Sequence, residues 1–281
     1  MATQYVTPDL RRWIGEQLKA GVGSAELVQS MIGAGWQQKV ALQAVAQAKL
    51  DGWFKKDEAA LASVGVPDAS IADGRTWVQA HDRQVPVLMA MEHPRVIVFG
   101  NVLDPEECQA IIDAAQPRMA RSETVAEASE GSEVNAARTS RGMFFERGEV
   151  EVVARLERRI AALVNWPVEN GEGLQVLNYQ PGAEYQPHYD YFDTKHASTA
   201  AILKRGGQRV GTFLVYLNTP TRGGATTFPD VKLAVKPVQG QGVFFSYDKP
   251  DPSTLSLHGG APVLEGEKWV CTKWLRQGRF A

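Results

Sequence analysis

The stretch Leu177-Asn178-Tyr179-Gln180-Pro181-Gly182-Ala183-Glu184-Tyr185-Gln186-Pro187-His188-Tyr189-Asp190-Tyr191-Phe192 decides how the chain is read. Pro181-Gly182 splits it into two β-prone runs, about 174–179 and 183–189, and the second runs into His188-Tyr189-Asp190. In extended chain alternate side chains share a face, so His188 and Asp190 are expected to point the same way and grip one ion. A second imidazole, His258, follows sixty-eight residues beyond Asp190 and must arrive from another strand. Two imidazoles and one carboxylate on one face of an octahedral ion leave three positions open, the arrangement that suits iron(II) oxygen chemistry.

A histidine and an aspartate two apart arise on any exposed strand, so the pair alone is weak. The distal half changes the weighing. Ten residues beyond His258, Lys268 opens the strand Lys-Trp-Val-Cys-Thr-Lys-Trp-Leu. A basic side chain there would face the same mouth as the ion and could pair with the far carboxylate of a dicarboxylic cosubstrate.

Working outward, further strands are expected at 210–217, 225–228, 241–247 and 268–275, with glycine and proline between them, the spacing of an all-β sandwich or barrel. Arg95–Phe99 reads as a strand, Asp104-Pro105 opens a helix to about Ala115, another helix lies near 149–164, and the polar stretch 122–136 reads as a loop. Residues 1–50 read as a small helical bundle of unassigned role. Thr7-Pro8 starts its first helix, with Leu10, Trp13, Ile14 and Leu18 on one face; Ser24 is expected to cap the second, and a third runs from about Trp36 to Leu50. Residues 51–94 are expected to be linker and lead-in, and 95–281 the catalytic domain.

Composition excludes several classes. A hydrophobic share of 44% and a charged share of 22% are those of an ordinary globular chain, and a net charge of −2 supplies no basic field for nucleic acid. No run of about 18 apolar residues exists to span a bilayer. The two cysteines, Cys108 and Cys271, form no CxxC pair, so a reducing, cytoplasmic setting is expected, with neither nucleic acid nor membrane as partner.

The quoted stretch resembles the prolyl 4-hydroxylase branch of the 2-oxoglutarate oxygenases. So do Arg138-Thr139-Ser140, the strand Val210–Asn218, the turn Gly223–Pro229 and the segment Leu257–Trp269, in that branch's order and over about residues 95–277. The resemblance implies a mainly β fold with flanking helices, a distorted double-stranded β-helix or jelly roll, beside the N-terminal bundle. It implies iron ligation by His188, Asp190 and His258, and 2-oxoglutarate binding by Lys268 with Tyr179 and Thr226 as supporting hydrogen-bond donors. Tyr185, Glu172, Arg138, Ser140, Arg209 and Trp274 would line the substrate side. The implied cofactors are Fe(II), 2-oxoglutarate and O2, with ascorbate as a candidate reductant. The implied reaction is hydroxylation at C4 of a prolyl residue in a peptide or protein, with release of succinate and CO2.

Between Asp193 and Gln208 the chain departs from that branch, and this loop, which contains His196, is read with 122–137 as a candidate substrate lid. His196, His81 and His93 are expected to be no part of the metal site. Arg276 stands where members acting on peptidyl proline often carry histidine. Three alternatives remain: hydroxylation of another peptidyl residue or a free amino acid, a non-catalytic binding module, and a zinc hydrolase using the same ligands. The last lacks an HExxH helix and leaves Lys268 without a purpose.

Overall fold

Thr7 caps α1 (Pro8–Lys19) by accepting a hydrogen bond from the Leu10 amide at 3.2 Å, and the proline sits where its missing N–H is no loss. The next helix, α2 (Ser24–Gly33), has no side-chain cap: Gly23 occupies the cap position and Ser24 is already helical, so the expected Ser24 cap does not form. A third helix, α3, covers residues 38–48. Ile14, Leu27, Met31, Ala41 and Val45 make the core of this bundle, while Trp13, expected on the buried stripe, is 38% exposed. The computed structural model describes residues 4, 6–48, 65–121, 124–125, 132–133, 139–194 and 199–281. It divides the chain into Met1–Ser63 with Ser70–Arg75, and Val64–Ala69 with Thr76–Ala281.

The second unit begins with β1 (Trp77–Ala80), β2 (Arg83–Met91) and β3 (Arg95–Phe99), so residues expected only as a lead-in already form two strands. Next come α4 (Pro105–Ala115), the short β4 (Ala120–Arg121), β5 (Thr124–Val125) and β6 (Ser132–Glu133), β7 (Arg141–Phe145) and α5 (Glu151–Leu163). Then follow β8 (Leu174–Tyr179), β9 (Tyr185–His188), α6 (Thr199–Leu203), β10 (Arg209–Tyr216), β11 (Arg222–Gly223), β12 (Thr226–Phe228) and β13 (Leu233–Val235). The chain ends with β14 (Gly242–Ser246), β15 (His258–Gly260), β16 (Val263–Glu265) and β17 (Lys268–Arg276). Most of the stretch 122–138 and all of 195–198 lie outside the described residues, and with them the lid reading of those loops, Arg138 and His196. His81 and His93 occupy the turns on either side of β2.

Nine strands pair in the order β1-β2-β3-β14-β10-β17-β8-β7-β4, and β13-β12-β15-β9 form a second, smaller sheet. Val96, Leu177, Leu214, Phe245 and Val270 of the large sheet share one apolar cluster with Phe228 of the small one. Each such side chain contributes about 1.5–3 kcal/mol of burial, and together they hold the two sheets face to face. This is the double-stranded β-helix. Helix α5 buries Val153, Leu156, Ile160 and Leu163 at helical spacing, whereas Asp104 and Glu107 cap α4 reciprocally. β17, between β10 and β8, is buried at all nine positions, so both its faces are covered.

Candidate metal centre and active site

His188 closes β9, His258 opens β15, and the register of the small sheet sets them opposite one another. Gly259 makes this approach possible, since a Cβ there would sit 2.9 Å from the Tyr185 carbonyl oxygen and 3.1 Å from the Pro187 nitrogen. The His188 Nδ1 lies 2.8 Å from the Gln186 carbonyl and the His258 Nδ1 lies 3.0 Å from that of Ser256. A carbonyl only accepts, so each Nδ1 carries the proton and each Nε2 keeps its lone pair for an ion.

Asp190 was expected within an unbroken strand, but β9 ends at His188 and Asp190 sits in a bend beyond it. Its carboxylate nevertheless lies 3.6 Å from His188 Nε2 through Oδ1 and 3.4 Å from His258 Nε2 through Oδ2. One ligand atom from each of the three residues falls within 4.8 Å of the others. Burial alone would raise the Asp190 carboxyl, but the two imidazoles and Arg209 outweigh it and hold the group far below the usual carboxylate range. Burial pulls His258 down to about 4 against the attraction of Asp190, so its ring is neutral at neutral pH, the form that can ligate.

Lys268 opens β17 opposite Tyr179 of β8 and shares the pocket of the triad. Its Nζ lies 5.4 Å from the ring centres of both Tyr179 and Tyr216. Among the described residues it makes no ion pair and no hydrogen bond, and burial pulls it down to about 8. An ammonium left in that state costs on the order of several kcal/mol, which an incoming carboxylate would offset. Thr226, in the same wall, accepts from the Tyr216 hydroxyl at 2.7 Å and so keeps its own proton to donate. Leu177, Leu214 and Val270 add apolar side chains to the same lining. The residues therefore fit an ion and a dicarboxylate together.

Of the expected substrate-side residues, Tyr185 and Trp274 belong to this wall; Tyr185 stacks on His188 with ring centres 3.7 Å apart. The Trp274 indole N–H is buried with no partner among the described residues. Glu172 and Arg209 form an ion cluster next to the triad: Arg209 donates to both Glu172 carboxylate oxygens at 2.7 and 2.9 Å, and its guanidinium lies 3.9 Å from the Trp274 ring centre. Arg276 joins them, donating to Glu172 at 2.7 Å and to the Gly207 carbonyl at 2.5 Å. Burial alone would raise the Glu172 carboxyl, but the two guanidinium groups lower it. Ser140 is buried just ahead of β7, and Arg138 lies outside the described residues.

Sequence reasoning missed Thr212 and Tyr216 on β10 and Tyr247 beyond β14. Thr212 donates to Asp190 Oδ2 at 2.6 Å and lies 3.0 Å from the Tyr247 hydroxyl. Alternation along β10 places Thr212, Leu214 and Tyr216 on one face, but only the pairing of the sheets makes that face the inner one.

The family model of the 2OG-Fe(II) oxygenase superfamily matches residues 174–276. Prolyl 4-hydroxylase 5 of Arabidopsis thaliana is 41% identical over 208 residues, which span 66% of this chain and 70% of the relative. The chain belongs to the prolyl 4-hydroxylase family of 2-oxoglutarate oxygenases. A second relative, probable prolyl 4-hydroxylase 3 of the same plant, is 38% identical over 66% of this chain and 71% of its own. The crystal structure of a viral collagen prolyl hydroxylase from Paramecium Bursaria Chlorella virus-1, in complex with 2OG, matches with a TM-score of 0.50 and 29% identity. It covers 64% of this chain and 95% of that one. The enzyme is accordingly a 2-oxoglutarate-dependent dioxygenase whose family uses Fe(II), 2-oxoglutarate and O2.

Proposed function

We propose that this dioxygenase hydroxylates C4 of a prolyl residue in a peptide or protein, and that His188, Asp190 and His258 hold its iron while Lys268 anchors 2-oxoglutarate. The observation that carries the site reading is the convergence of three ligand atoms within 4.8 Å in a pocket that also holds a buried lysine with no carboxylate partner among the described residues. The prolyl reading rests on relatives named for that activity at about 40% identity.

When bound, iron with 2-oxoglutarate and O2 supplies the oxidation that turns a C–H bond into C–OH, with release of succinate and CO2. The chain's own side chains do the rest. The Nε2 lone pairs of His188 and His258 and the Asp190 carboxylate would hold the ion, three protein ligands being few enough to leave positions for the small molecules. Lys268 would pair with the far carboxylate of 2-oxoglutarate, with Thr226 and Tyr179 as donors beside it. The apolar side chains of Leu177, Leu214 and Val270 in the lining would disfavour water there. Tyr185 and Trp274 would form the substrate wall.

Arg276 favours a second reading. Its guanidinium is committed to Glu172 and Gly207, so this corner recognises substrate differently from a histidine, and another peptidyl residue is the rival target. Ascorbate remains the candidate reductant. A cytoplasmic setting belongs to the same proposal and is supported by the buried free thiols of Cys108 and Cys271, both raised by burial.

The test is succinate formation by iron-loaded protein with proline-rich peptides and a wider peptide panel, read by the gain of one oxygen in the peptide mass. Turnover with prolyl peptides, abolished in His188→Ala and recovered in Lys268→Ala only at high 2-oxoglutarate, is expected. Oxygen gain only on other residues would replace the prolyl reading, and failure to bind both iron and 2-oxoglutarate would overturn the site.

A further inference from the structure

The three proposed ligands are not held alike. His188 and His258 are paired across the small sheet, and the carbonyl two residues back fixes each ring. Asp190 stands in a bend past the end of β9, where no ladder partner sets its angle. Its orientation comes from the opposite sheet.

Thr212 on β10 is fully buried and donates to Asp190 Oδ2 at 2.6 Å. Tyr247, just past β14, is also buried and lies 3.0 Å from the same threonine oxygen. The direction of this chain is forced. An ionised carboxylate only accepts and a threonine has one proton, which is spent on Asp190, so Tyr247 must donate to Thr212. Both hydroxyls are set by the large sheet: Thr212 pairs with Phe245 across β10 and β14, and the Tyr247 amide donates to the Val210 carbonyl at 3.1 Å. They lie beside the apolar cluster of Leu214, Val243 and Phe245, where valine and phenylalanine would have nearly the same shapes without the cost of buried polar groups.

We propose that Thr212, backed by Tyr247, is a positioning pair that holds Oδ2 of Asp190, fixes the rotation of the carboxylate and so favours Oδ1 as the oxygen given to the ion. This rests on the ligand role given to Asp190 above. A carboxylate free to swing can bind through both oxygens and take a further position on the ion, one that the two oxygens of 2-oxoglutarate and O2 require. The pair thus keeps three positions open by holding a carboxylate that its own strand does not hold.

The test is titration of metal-free protein with Co(II), followed by the visible absorption of the bound ion, in wild type, Thr212→Val, Thr212→Ser and Tyr247→Phe. Circular dichroism reports folding of each. Removal of a hydrogen bond to a ligand is expected to weaken Co(II) binding about 10–100-fold in Thr212→Val and to change the shape of the cobalt bands. Thr212→Ser should rescue both, and Tyr247→Phe should move both in the same direction by less. Wild-type affinity and bands in Thr212→Val overturn the proposal; where that variant does not fold, the same result in Tyr247→Phe does so. Thr212→Ser as weak as Thr212→Val would also overturn it, assigning the effect to packing. Absence of Co(II) binding by the wild type would instead overturn the ligand assignment itself.

Discussion

Strand β17 carries two lysines five residues apart, on opposite faces and almost equally buried, at 4% exposure for Lys268 and 2% for Lys273. On the helix side, Lys273 Nζ lies 2.5 Å from Glu157 Oε1 of α5, and the other Glu157 oxygen accepts from the Gly148 amide at 2.9 Å. Gly171 leaves room for the lysine stem, which a Cβ there would strike. On the pocket side, Lys268 has two tyrosine rings and no carboxylate among the described residues. Burial lowers both lysines, but only for Lys273 does a carboxylate of the chain oppose it. One strand thus shows a charge whose partner is built in and a charge with no carboxylate partner among the described residues. The first is structure and the second is the 2-oxoglutarate anchor proposed above.

The largest effect expected from breaking this contrast is on the paired side. Lys273→Met strands Glu157 in the interior at a cost of about 3–5 kcal/mol. At roughly 2–4 °C per kcal/mol, calorimetry should show Tm falling by on the order of 10 °C, with the KM for 2-oxoglutarate unchanged. A KM that rose with Tm intact would invert the two roles.

Next in size is Lys268→Met. Loss of a charge-assisted contact of about 2–3 kcal/mol should raise the KM for 2-oxoglutarate roughly 30–150-fold. Tm should hold or rise, because an unpaired buried ammonium has gone. Thermal destabilisation as deep as that of Lys273→Met would show that Lys268 has a partner within the fold.

The pH dependence sharpens the same distinction. Lys268 falls from its ordinary 10.5 to about 8 in the folded chain, so between these values the unfolded chain holds a proton that the folded one has released. Rising pH through that window therefore relieves the burial cost and adds stability. Binding of 2-oxoglutarate needs the charged form and should weaken about tenfold per pH unit above about 8. Calorimetric titration of 2-oxoglutarate across this range should show the slope in wild type and none in Lys268→Met; equal slopes would place the titration elsewhere.

The smallest effect belongs to the double change Glu157→Leu with Lys273→Met. Replacing both ends of a buried pair by apolar groups is expected to bring stability back to within about 1 kcal/mol of wild type. Denaturant unfolding measures this, and a deficit as large as the single variant's would assign the loss to packing of the lysine stem rather than to the stranded carboxylate.

Much of this was legible from local patterns. Alternation and turn residues placed β8, β10, β14 and β17 to within a residue or two, because side-chain period and chain reversal are properties of neighbouring residues. Asp104-Pro105 announced α4 for the same reason. The spacing of His188, Asp190, His258 and Lys268 suggested an ion and an anion. It misjudged only the path of the chain, since Asp190 lies past a strand that ends at His188.

What tertiary structure alone decided is partnership. Lys268 and Lys273 read alike along the chain, and only the pairing of β17 with β8 and β10, with α5 behind it, sends one to Glu157 and leaves the other facing the pocket. Glu172 stands thirty-seven residues from Arg209 and one hundred and four from Arg276, and Thr212 reaches Asp190 from the opposite sheet. Periodicity tells which residues share a face. Which face meets which is set by long-range pairing of strands, and in a low-dielectric interior that choice determines whether a charge is neutralised by the chain or left for a ligand.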